Sequence, residues 1–210
     1  RDMRRLSGLR RPMPRTSALA IVAAAAMGGV PLLNGFLSKE MFFAEAADWH
    51  NGTWLDNALP YMATLASVFS IAYSLRFIMT VFFGPPATDL PKEPHEPATW
   101  MRRPVELLVL FVLLVGLWPA ALIGPVLHAG VVAVLGGNVP DYSLALWHGF
   151  NTPLQMSLTA LALGTFLYLI AAPKLLNANE APGLLARLSA QSMFDRVMLL
   201  LTRKWSLRLY

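Results

Sequence analysis

Between Arg103 and Lys174 the chain carries neither lysine nor arginine. Six arginines crowd into Arg1–Arg15 against a single acid, and six Lys or Arg residues follow from Lys174 to Tyr210. A soluble domain has about a quarter of its residues charged and spread over its surface. Here 14% are charged, 56% are hydrophobic and mean hydropathy is +0.51. Basic ends around uncharged apolar blocks suit a bilayer, where a central charge costs several kcal/mol. The net charge of +5 does not make a nucleic-acid surface, because the basic residues flank apolar blocks and form no solvated face. With no cysteine there is no disulfide framework, thiolate metal site or thiol redox pair. The apolar segment after Arg15 is too long for a secretory signal. The chain opens on Arg1 and stops mid-pattern at "KWSLRLY", so it reads as a piece of something larger.

An apolar helix needs about 20 residues to cross a hydrocarbon core of about 30 Å, and backbone in lipid must bond to itself. The expected fold is therefore all-α and membrane-embedded, with four crossings at 16–48, 58–83, 104–123 and 151–172, the first of them broken. A basic segment, 1–15, precedes them, and a Pro-rich loop, 84–103, joins the second to the third. The outer-side segment 124–150 contains Val126–Leu135, apolar but too short to cross, as a partial or interfacial helix. In 173–210, apolar positions between Leu184 and Leu201 recur with Arg187, Asp195 and Arg196 between them, the pattern of an amphipathic helix. Pro173 is expected to stop the fourth crossing. Lys and Arg fall on alternate connections, which puts both ends and the Pro-rich loop in the cytoplasm.

The first block is too long for one crossing. As one helix, its 32 residues from Thr16 to Ala47 would span roughly 48 Å. "GGVPLLNG" resolves the excess: Pro31 removes an amide donor, and Gly28, Gly29 and Gly35 permit unwinding. Irregular backbone at membrane depth survives only inside protein or beside a wet cavity, and broken helices mark ion sites in transporters. Lys39 lies about 35 Å from Thr16 but only about 14 Å back from Asp48, which favours the midplane. Ser38 could cap the second half-helix and set Lys39 in its first turn, where the helix dipole disfavours a protonated amine. Glu40 points elsewhere and either pairs with a neighbouring helix or accepts the next proton. The other reading of "SKE" is a surface helix start, with Lys39 snorkelling to water.

Other ionisable groups leave two readings each. Arg76 either snorkels or forms an ion pair, or it belongs to a pathway. Glu106, two residues after Pro104, is expected to sit at a helix start and favour its dipole. Glu45, Asp48 and Asp56 approach the outer surface, and Glu45 could face the bundle. His148 and His128 are interfacial residues or an ion entrance, and His50 and His95 are loop residues. No histidine pair has zinc spacing, and no phosphate loop or nucleophile motif occurs, so no metal, cofactor or catalytic residue is expected.

"RDMRRLSGLRRPMPRTSALAIVAAAAMGGVPLLNGFLSKEMFFAEA" resembles the antiporter-like subunits shared by Mrp-type cation/proton antiporters and respiratory complex I. So does "SIAYSLRFIMTVFFG", and "ALWHGFNTPL" and "MFDRV" are most similar to the Mrp A-type subunits. Ser7–Gly8 stands where that family commonly has Gly-Gly. The resemblance implies that Lys39 ends a chain of protonatable residues across the bundle, with the other relay residues on helices this chain does not contain. It also implies Na+ or K+ exchange for protons in a bacterial plasma membrane, with further membrane subunits as partners. The rival implied by the same family is a proton-pumping subunit of complex I or a related hydrogenase.

Overall fold

The computed structural model describes residues 6–48, 52, 54–87, 90, 92–136, 142–145, 149–177, 193–194 and 198–199, and every regular element among them is helical. Helix α1, Pro14–Gly28, opens on a proline, whose missing amide costs nothing in a first turn. It ends at Gly29, which takes the left-handed conformation (φ 78°) open to glycine without strain. Five residues, 29–33, separate α1 from α2, Asn34–Asp48. Within them Leu32 has φ 70°, alone among the described non-glycine residues in lying at positive φ. The Leu33 amide reaches back to the Val30 carbonyl, and the Phe36 amide to that of Leu33.

Helix α3, Trp54–Phe82, runs for 29 residues through Pro60. Helix α4 is Thr99–Leu117, followed by a single turn, α5, Pro119–Leu122. Helix α6 is Gly124–Leu135 and α7 is Thr152–Asn177. Among the described residues two stretches, Asp56–Phe82 and Thr152–Ala172, are long and apolar enough to cross a membrane by length and composition.

Several boundaries differ from the sequence reading. The second block starts at Trp54 and not at 58. The loop 84–103 ends at Ala98, because α4 begins at Thr99 and carries Pro104 inside it. Arg102 and Glu106 pair across that proline at i,i+4 spacing, so Glu106 sits within the helix and is not its N-terminal cap. The third block stops at Leu117 and not at 123, since Pro119 pushes Trp118 out of helical geometry (φ −132°, ψ 60°). Pro173 does not end α7, which continues to Asn177 and gives up only the one amide bond. The amphipathic pattern of 184–201 lies almost wholly outside the described residues.

The chain forms two compact units, Arg1–Tyr168 and Leu169–Tyr210. In the second, the described residues are the last turns of α7 and the helical pairs 193–194 and 198–199. Among its described residues the first has three apolar clusters. Leu9, Ala24, Ile78, Val81 and Phe82 join α1 to the end of α3. Phe43, fully buried, meets Ala46, Ala63 and Met156. Val68 and Ile71 meet Ala160 of α7. Around these, large apolar side chains such as Leu107, Leu108, Leu110 and Phe111 of α4 are exposed. A surface of that kind fits lipid or partner helices.

Candidate functional site

The break positions an amine. Lys39, in the second turn of α2, donates from Nζ to the carbonyl of Gly28 at 3.1 Å. Gly28 is the last residue of α1, so its oxygen has no partner within that helix. The Ser70 hydroxyl of α3 lies 3.5 Å from the next carbonyl back, Met27. The end of α1 thus meets side chains from α2 and α3 where its next turn would have been. An ammonium also suits the partial negative charge at a helix C-terminus. Gly29 makes room for it: a Cβ there would come within 2.7 Å of Lys39 Cδ, besides being strained at its φ. Gly35 brings α2 in so closely that a Cβ would overlap the Ala26 carbonyl oxygen of α1.

This geometry corrects one expectation. Ser38 does not cap α2, because the break uses only five residues and the helix is already formed from Asn34. The Ser38 hydroxyl bonds back to Gly35 O at 3.1 Å. Lys39 therefore faces the carbonyl end of α1 and does not sit in the first turn of α2.

Glu40 diverges from Lys39. It is buried (6% exposed), and Asn151 Nδ2 approaches its Oε1 at 3.4 Å. A cavity of about 460 Å³ opens here, with Glu40, Glu45, Asp48, Tyr142, Ser143 and Asn151 among its lining residues. Glu45 is exposed on it. A second cavity of about 210 Å³ touches Gly28, Val30, Ser74, Leu161 and Thr165. Arg76 is exposed on α3 and His128 is exposed on α6. His148 and His50 lie outside the described residues.

A separate polar cluster holds the other end of α1, and the sequence reading missed it. Glu96 accepts the Arg15 amide at 2.6 Å, the Thr16 amide at 3.1 Å and the Thr16 hydroxyl at 2.9 Å. Arg102, buried at 8% exposure, lies 3.8 Å from Glu96. Desolvation pushes the Glu96 carboxyl up, but the Thr16 and Arg15 donors and the Arg102 charge together hold it below the ordinary carboxylate range. The i,i+4 spacing of Arg102 and Glu106 was the available signal. Asn151 was legible too: an asparagine before "TP" is a helix cap, and its Oδ1 accepts the Leu154 amide at 2.9 Å.

The family described as NADH:quinone oxidoreductase/Mrp antiporter, TM, matches residues 1–70. A Rhizobium meliloti protein, named as the A/B component of a probable K(+)/H(+) antiporter, is 54% identical across 98% of this chain. The chain is a homologue of the A components of Mrp-type antiporters. The A1 component of an Na(+)/H(+) antiporter of Staphylococcus aureus is 31% identical over 80% of the chain. A chain in the structure of the Mrp complex from Dietzia sp. DQ12-45-1b superposes with TM-score 0.70 at 29% identity, over 97% of this chain and 20% of that one. The chain spans only about a fifth of the curated Mrp relatives it matches, 21% and 22% of their lengths. The family match to residue 70 takes in α1, the break, α2 and the first half of α3.

Proposed function

We propose that this chain is part of the large subunit of a multi-subunit Na+ or K+/proton antiporter, and that it supplies the terminal part of a transmembrane proton pathway through Lys39. The contact between Lys39 Nζ and the Gly28 carbonyl across an interrupted helix carries the reading. Each half-helix is 15 residues long, so the break falls midway along the pair. The ammonium makes a charge-assisted bond to Gly28. The neutral amine keeps N–H donors but loses about half that strength. Protonation at Lys39 thus alters how firmly the two half-helices are joined, and Glu40, one residue on, lines the cavity it shares with Asn151 and receives or returns the proton.

The α1–α2 pair, α3, α4 and α7 make four crossings of a bacterial plasma membrane. The Arg10 guanidinium rests over Phe83 at 4.8 Å, and Glu96 caps α1, so three helix ends gather with the basic segments. The positive-inside rule puts that end in the cytoplasm. The exposed apolar faces are covered by lipid and by the other membrane subunits of the same complex. The protein is a secondary transporter and not an enzyme. The family match embraces the redox complex as well, but the curated relatives are named as parts of antiporters, which favours cation exchange.

The experiment is Lys39→Ala in the full-length protein, with exchange followed in everted vesicles by a pH-sensitive dye. Loss of exchange with the complex still assembled is expected. Exchange at the unmodified rate would overturn the role given to Lys39.

A further inference from the structure

Ser157 lies on the inward face of α7 with 5% of its surface exposed, and its hydroxyl has no hydrogen-bond partner among the described residues. Buried hydroxyls are nearly always bonded, and a bound water is a common resolution where no protein group serves. Other hydroxyls in these helices bond back to a carbonyl one turn earlier. Ser17 reaches Pro14 O at 2.8 Å, Ser74 reaches Ser70 O at 2.8 Å and Thr159 reaches Met156 O at 2.9 Å. Ser157 makes no such bond.

Its place on the helix gives that a meaning. Pro153, Ser157 and Leu161 follow one another at i, i+4 and i+8, along one ridge of α7. Pro153 lines the cavity that holds Glu40 and Asn151. Leu161 lines the cavity that holds Gly28, the acceptor of the Lys39 amine. Ser157 stands between them on that ridge, about 6 Å along the axis from each. Glu40 lines one cavity, the carbonyl that receives the Lys39 amine lines the other, and one buried hydroxyl on the facing helix stands between the two ridge positions.

We propose that Ser157 holds a water in the wall between the two cavities, and that this water carries protons between the Lys39 side and the Glu40 side. A proton leaving the Lys39 ammonium adds to the water oxygen while one of the water's own protons passes to the Glu40 carboxylate. Lys39 ends neutral and Glu40 ends protonated. The water and the serine hydroxyl are unchanged, and one H+ has moved. Ser157 is a positioning residue here, and the inference rests on the reading of Lys39 and Glu40 given above.

The test uses everted vesicles containing the complete complex with Ser157→Ala, Ser157→Thr, Ser157→Cys or Lys39→Ala. Ser157→Ala should lower the maximal exchange rate about tenfold, the rate equivalent of one hydrogen bond lost at the barrier. The half-saturating cation concentration should not move, and Ser157→Thr should restore the rate. Ser157→Cys keeps nearly the same volume with a weak donor and should be as slow as the alanine variant, which covers the case in which alanine prevents assembly. An unmodified rate in the alanine or cysteine variant, or a threonine variant no faster than either, overturns the proposal. If Lys39→Ala also exchanges at the unmodified rate, the underlying reading of Lys39 fails with it. If Lys39→Ala is inactive while Ser157→Ala is unimpaired, only the role of Ser157 fails.

Discussion

Gly116 of α4 lies against Leu32 in the break so closely that a Cβ there would overlap the Leu32 carbonyl oxygen and come within 2.8 Å of Leu33 Cα. Backbone meets backbone at this point, so no flexible side chain can yield. Gly116→Ala should destabilise the complex by about 1–3 kcal/mol, as overpacking does. Thermal denaturation of the detergent-purified complex would measure this, and an unchanged midpoint would mean that α4 does not brace the break.

Lys39→Arg separates charge from titration. An arginine keeps a permanent cation at the end of α1, whereas a lysine can release its proton. The variant should assemble and fail to exchange. Exchange at the unmodified rate would show that a fixed charge is sufficient.

Gly29→Ala combines a strained φ with a Cβ within 2.7 Å of Lys39 Cδ. A non-glycine residue at positive φ costs on the order of 1 kcal/mol, and the amine must also move off Gly28. Exchange should fall while the amount of assembled complex falls less. Both are read from the same vesicles by dye quenching and by immunoblot.

Glu96→Gln should have a pH-dependent effect. The folded carboxyl titrates below its ordinary value of 4.5, so its stabilising contribution is present in full above that value and is lost as pH falls through the folded value. Glutamine should therefore lower the melting temperature at pH 7, and the gap from the unmodified complex should narrow as pH drops below about 4.5. A gap that is constant from pH 7 to pH 4 would mean that Glu96 acts without its charge.

What the sequence disclosed follows from which forces are local. Helical character is written in apolar runs too long for anything else in lipid, and every regular described element is indeed helical. Helix starts were harder to read. Pro104 has the look of a first-turn proline, but the Arg102–Glu106 pair forms around it and the helix begins five residues earlier. The extent of the break was misjudged because its compactness depends on contacts far along the chain, with Gly116 pressing on Leu32 and Gly35 on Ala26. Glu96 illustrates the same limit. An acid in a Pro-rich loop gives no sign of the helix 80 residues away that it caps. The carbonyl that receives Lys39 could not be named from spacing, since it depends on how the chain turns between 29 and 33.

Helix α1 has a carboxylate at its first turn and an ammonium at its last carbonyl, about 21 Å apart. Each pole of this fifteen-residue rod is thereby matched by an opposite charge borrowed from another part of the chain. Removing the proton from Lys39 leaves one pole unanswered, so a single ionisation at the break changes the electrical balance between the rod's two ends.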